Sequence, residues 1–130
     1  MEMPTEGGSG VSYLVRPRKV ESGGTPRATL RNTSDQVLEY GNAYRLDIHR
    51  KGRWVRVKQP RDSTIYCVFT GEAYLLRPGK SKSQRVSVCD RQGEDRTLLP
   101  GRYRLRKRVW FTGGDRLIVV EAFFNVTATR

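Results

Sequence analysis

The sequence predicts an all-β protein, an antiparallel sandwich of eight or nine strands in two sheets. Three observations predict it. Apolar and polar residues alternate in short runs, as where Tyr103, Leu105 and Val109 interleave with Arg104, Arg106 and Arg108. Clusters of Pro, Gly, Asn and Asp that reverse a chain recur about every ten residues. No window carries apolar side chains at the spacing of an amphipathic helix.

Residues 1–10 are small, polar and glycine-rich and read as a leader or linker; residues 11–130 read as one domain. A chain of 130 residues buries about two thirds of its unfolded surface, so folding requires neither disulfide nor metal. Residues 11–16 alternate around Val11, Tyr13 and Val15 into a first strand ending at Pro17. A second covers 28–31, stopped by the turn Asn32-Thr33-Ser34-Asp35, and a third covers 37–40. Residues 43–57 form a hairpin: Tyr44, Leu46 and Ile48 alternate, Lys51-Gly52 turns, and the Trp54 strand returns. An interrupted strand at 65–69 and 73–76 is expected to pair, across Arg77-Pro78-Gly79-Lys80, with a strand at 84–89. Strands at 103–111 and 117–126, joined at Thr112-Gly113-Gly114-Asp115, complete the set.

Leu99-Pro100-Gly101-Arg102-Tyr103 places a tyrosine immediately after a chain reversal. In sandwiches with a tyrosine corner, that hydroxyl bonds to backbone a few residues upstream and closes the crossover between sheets. The alternative is an ordinary Pro-Gly turn followed by an aromatic strand residue.

The order of these features resembles a family. Tyr40-Gly41, Tyr44-x-Leu46, Gly52-x-Trp54-x-x-Val57, Leu76-x-Pro78-Gly79, Val86-x-Val88, Leu99-Pro100-Gly101-x-Tyr103-Arg104-Leu105 and Ala122-x-Phe124-x-Val126 are similar to the bacterial immunoglobulin-like domains. The resemblance implies an immunoglobulin-like β-sandwich without catalytic machinery, often on exported or cell-envelope proteins, and brings no site residues. The chain departs from antibody-type domains, with Leu105 where a cysteine would follow the corner tyrosine and no tryptophan on the Tyr44 strand.

Lys and Arg number 25 against 13 Asp and Glu, a net charge of +12, and nineteen of the cations are arginine, suited to flat bidentate contact with oxyanions. On the strand after the corner, Arg102, Arg104, Arg106, Arg108 and Trp110 share one parity. In an immunoglobulin-like order that strand lies between the last strand and the Tyr44 strand, which brings Arg45, His49 and Phe123 to the same face, with Arg53, Arg56 and Lys58 extending it. Arg102, Arg104, Arg106, Arg108, Trp110 and Arg45 are therefore the candidate ligand-binding residues, for an anionic polymer or acidic protein. The competing reading is a solvated face neutralised by Glu121, Asp47 and water.

Other chemistry is sparse. His49 is the single histidine, so neither a multi-histidine metal site nor a histidine-based triad is expected. No nucleophile elbow, phosphate loop or dinucleotide fingerprint occurs. Asp90, Glu94 and Asp95 lack the spacing of a calcium loop, and two Asn-x-Ser/Thr patterns begin at Asn32 and Asn125. The expected hairpin across residues 77–80 sets Cys67 opposite Cys89, as a disulfide of an oxidising compartment or as two buried thiols. No enzyme and no cofactor are expected. The function expected is a non-catalytic binding or structural module, exported or envelope-associated, with a cytoplasmic location left open because no signal peptide is visible. The alternatives are a proteinase inhibitor working through residues 59–63 or 90–97, and a nucleic-acid binder using the same arginines.

Overall fold

A computed structural model describes residues 10–57, 72–89, 95–96, 98–113 and 116–128. Among them are twelve strands and no helix: β1 (Val11–Arg16), β2 (Lys19–Glu21), β3 (Arg27–Asn32), β4 (Leu38–Tyr40), β5 (Arg45–Arg50), β6 (Arg53–Arg56), β7 (Tyr74–Leu76), β8 (Ser81–Arg85), β9 (Val88–Cys89), β10 (Asp95–Arg96), β11 (Gly101–Phe111) and β12 (Leu117–Thr127).

β11 is the spine of the larger sheet. Along one edge it pairs with β12 from Gly101↔Val126 to Trp110↔Leu117, and β12 is followed by β2, which runs parallel to it. The other edge is divided. Its first half, Tyr103–Arg106, takes β5, with β6 outside; its end, Val109–Phe111, takes β4, with β7 outside. Between these contacts four residues, Gly41 to Tyr44, face two, Lys107 and Arg108, so the chain bulges away and the sheet edge forks.

The smaller sheet runs β1-β3-β8, and β9 pairs with β10 as a separate ribbon. Tyr13, Val15, Ala28 and Leu30 of the smaller sheet and Leu46, Leu105, Val109, Val120 and Phe124 of the larger one fill the space between. Alternation explains this core: odd positions of β11 and even positions of β12 face inward, and Tyr103 stacks on its partner Phe124 with ring centroids 5.3 Å apart. Burying these side chains supplies the main driving force for folding.

Lys51 and Gly52 both have positive φ, the conformation of a two-residue type I′ loop, and Arg50 pairs with Arg53 across it. The hairpin expected across Arg77-Pro78-Gly79-Lys80 does not form. β7 pairs with β4 in the larger sheet and β8 with β3 in the smaller, so this turn carries the chain between layers. Asn32 holds the crossing: its Nδ2 donates to the carbonyls of Gln36 at 2.7 Å and Leu76 at 2.8 Å, and its backbone N–H bonds Lys80 O. β2 is too short to give an alternation signal in the sequence, and the structure adds it to the expected set.

Candidate functional site: the outer face of the large sheet

The even-numbered side chains of β11 point away from the core. Arg102, Arg104, Arg106, Arg108 and Trp110 line up on the outer face, flanked on β12 by Phe123, Glu121, Val119 and Leu117 and on β5 by Arg45, Asp47 and His49. Register then divides the arginines. Asp47, opposite Arg104, is completely buried; Arg104 Nε and Nη2 donate to its Oδ2 at 3.0 and 2.8 Å, and Arg45 Nε donates to its Oδ1 at 2.9 Å. The Arg104 guanidinium also lies 4.8 Å from the centroid of the Trp54 ring. Arg104 is thus bonded in its plane and covered on its face, and its donors serve the fold.

Arg106 stands opposite Glu121, its Nε 2.9 Å from Oε2, an ion pair without the alignment of a hydrogen bond. Arg102 and Arg108 are exposed, and among the described residues neither has a carboxylate in ion-pair reach. Arg102 lies 5.9 Å above Phe123, which meets Trp54 at 5.8 Å, and Trp54 meets His49 edge-on at 5.1 Å. The face therefore carries an aromatic row, bordered at Arg102 by a guanidinium group that no carboxylate among the described residues neutralises. Trp110, Leu117, Val119 and Phe123 are each about 40% exposed or more: Val119, Leu117 and Trp110 cluster beside and beyond Arg108, and Phe123 stands apart across the Arg106–Glu121 pair. Arg56 sits beside this face, whereas Arg53 has the opposite parity and Lys58 lies outside the described residues.

The fork in the sheet edge opens a cleft of about 660 Å³ next to Arg108 and Trp110. Lys107 borders it but belongs to the buried parity of β11, and its ammonium turns inward between the sheets, donating to Ala43 O at 3.0 Å and Gln84 Oε1 at 3.4 Å. Burial lowers the Lys107 pKa to about 8. Sequence reasoning gives this lysine no role of its own, although its place between Leu105 and Val109 is the signal of a buried cation. It also passes over the exposed apolar cluster, because β12 is apolar on both parities and alternation there does not mark its outer face.

Tyr103 donates its hydroxyl to the Leu99 carbonyl, four residues upstream, at 2.5 Å. This bond fastens the loop that delivers β11. Asn32 is fully buried with its amide committed, so it offers no acceptor nitrogen for a glycan, while Asn125 is exposed. Cys67 and residues 59–63 lie outside the described residues, as do residues 90–94 and the Cys89 side chain. The pairing premise behind the Cys67–Cys89 proximity falls with the hairpin that β7 and β8 do not form. Among the described residues no group of three or more His, Cys, Asp or Glu could hold a metal, and no helix is long and apolar enough to cross a membrane.

The model of a family described as bacterial Ig-like domain matches residues 9–127. No curated protein matches the chain. Among solved structures, the Pseudomonas fluorescens alkylpurine DNA glycosylase bound to DNA containing an abasic site analogue is similar at 17% identity and a TM-score of 0.41, over 92% of this chain and 31% of that one. The β-glucosidase of Listeria innocua is similar in complexes with gluconolactone, at 19% identity and a TM-score of 0.34, and with glucose, at 17% and 0.37. In both, 90% of this chain covers 16% of the enzyme, so the chain spans less than a third of each of these proteins.

Proposed function

As the chain belongs to the bacterial Ig-like domain family, we propose that it acts as a non-catalytic interaction module of an exported or envelope-associated protein, engaging an anionic partner through the outer face of its larger sheet. The observation that carries this reading is the pairing of exposed, unneutralised Arg102 and Arg108 with the apolar side chains of Trp110, Leu117, Val119 and Phe123. Charge draws an anionic partner in and orients it, while flat aromatic surface excludes water from the contact. The net charge of +12 favours the same class of partner.

Arg104 and Arg45 do not belong to the contact set in this reading, because Asp47 takes two nitrogens of Arg104 and the Nε of Arg45 and neutralises charge between them. They fix the plane on which the unpaired arginines stand. A non-catalytic role accords with His49 being turned against Trp54 on an open sheet face.

The test is binding to DNA, RNA, acidic polysaccharide and anionic vesicles, titrated from low to physiological salt, with Arg102→Glu/Arg108→Glu as the altered protein. Selective binding to one of these that persists at physiological salt and is lost in the double variant is expected. Equal, weak binding to all of them, abolished by salt in both proteins, would assign the effect to net charge and overturn the reading.

A further inference from the structure

The cleft in the forked edge of β11 is separate in shape from the open face beside it. It is a notch about 660 Å³ in volume, within the range of small-molecule sites, and it is cut into the sheet where Gly41 to Tyr44 bulge away from Lys107 and Arg108. Its lining combines a flat wall and converging charge. Trp110 supplies ring surface, and Arg56 and Arg108 enter from different strands without a carboxylate in ion-pair reach among the described residues. Two carboxylates, Glu39 and Glu72, also line it, and Glu72 accepts a hydrogen bond from Tyr74 at 2.8 Å.

We propose that this notch is a binding site for a small planar aromatic anion, its oxyanion group held between Arg56 and Arg108 and its ring laid against Trp110. Guanidinium groups suit this headgroup because they present paired N–H donors in one plane, and an indole face suits a flat ring. Glu39 and Glu72 disfavour a second negative charge at the far wall, which restricts the ligand to one charged end. The site does not rest on the outer face engaging a polymer, and Arg102 and Phe123 lie outside it.

The probe is naphthalene-2-sulfonate, followed by amide and indole chemical shifts in the intact chain, with 2-naphthol supplying the ring alone and inorganic phosphate the charge alone. Saturable shifts are expected at Ala43, Lys107 and the Trp110 indole, with neither half-probe competing at equal concentration. Arg56→Glu and Trp110→Ala, both at exposed positions, are each expected to weaken binding about tenfold or more, whereas Phe123→Ser leaves it unchanged. The inference is overturned if shifts cluster at Leu117 and Phe123 instead, if inorganic phosphate binds as tightly as the probe, or if nothing saturates by about 10 mM.

Discussion

Arg104 reaches Asp47 with two nitrogens, at 3.0 and 2.8 Å, on a carboxylate that has no solvent exposure at all. An arginine in the middle of a basic face thus serves the protein's own interior, and the rest of the outer face depends on the position this pair fixes.

Removing the carboxylate charge leaves Arg104 and Arg45 close together with only a neutral amide between them. Asp47→Asn is expected to lower stability by about 3 kcal/mol, since breaking a buried pair from one side costs more than the pair contributes. Urea unfolding of Asp47→Asn, Arg104→Gln and the double variant gives the coupling. A coupling indistinguishable from zero would show that the two groups do not act as a pair.

Glu121→Gln makes the contrasting case. Arg106 and Glu121 are both half-buried, their alignment is poor, and water screens them, so the expected loss is under about 0.5 kcal/mol. A loss comparable to that of Asp47→Asn in the same unfolding experiment would contradict this ranking.

Two tyrosines should respond oppositely to loss of a hydroxyl. Tyr103 donates to Leu99 O, and Tyr103→Phe is expected to cost about 1 kcal/mol and to loosen the approach to β11. Tyr13 is buried, its hydroxyl has no partner among the described residues, and burial pushes its pKa far up. Tyr13→Phe is therefore expected to be neutral or stabilising, because the desolvation of an unsatisfied oxygen disappears. Thermal unfolding of both variants checks the signs.

Lys107 predicts a pH dependence. Its pKa is about 8 in the folded protein and 10.5 as the ordinary value, so between these pH values the unfolded chain holds a proton that the folded one has released. Stability therefore rises with pH across that window, and the cost of the buried charge is felt in full below it. Above about pH 10 Tyr13 and Tyr103, raised by burial, act in the other direction, because the unfolded chain then loses protons first. Denaturant unfolding from neutral pH to about pH 10 is expected to show the rise in the native protein and to lose it in Lys107→Met.

The sandwich was legible in the sequence because residues 102–106 of β11 alternate strictly, Lys107 and Trp110 being the later exceptions, and β12 matches β11 in length with few residues between them. The parity of the arginines followed from the same alternation. Their division into paired and unpaired did not, since Arg104 meets its carboxylate across 57 positions of sequence and only register brings them together. The turn at residues 77–80 has the same local chemistry whether it closes a hairpin or passes between sheets. The choice is made by Asn32, which binds Leu76 O from the other layer, and by the polar strand β8 finding a partner in β3. The fork was hidden for a similar reason: a bulge of two residues leaves both flanking strands their normal patterns.

The parallel ladder between β2 and β12 bears on force. Tension entering at Lys19 and leaving at Thr127 would pull the two strands lengthwise past each other, loading the pairs Asn125↔Lys19, Val126↔Val20 and Thr127↔Glu21 together. Antiparallel neighbours drawn from the same end separate rung by rung instead. Pulled between these two points, the short strand works as a shear clasp whose rungs share the load.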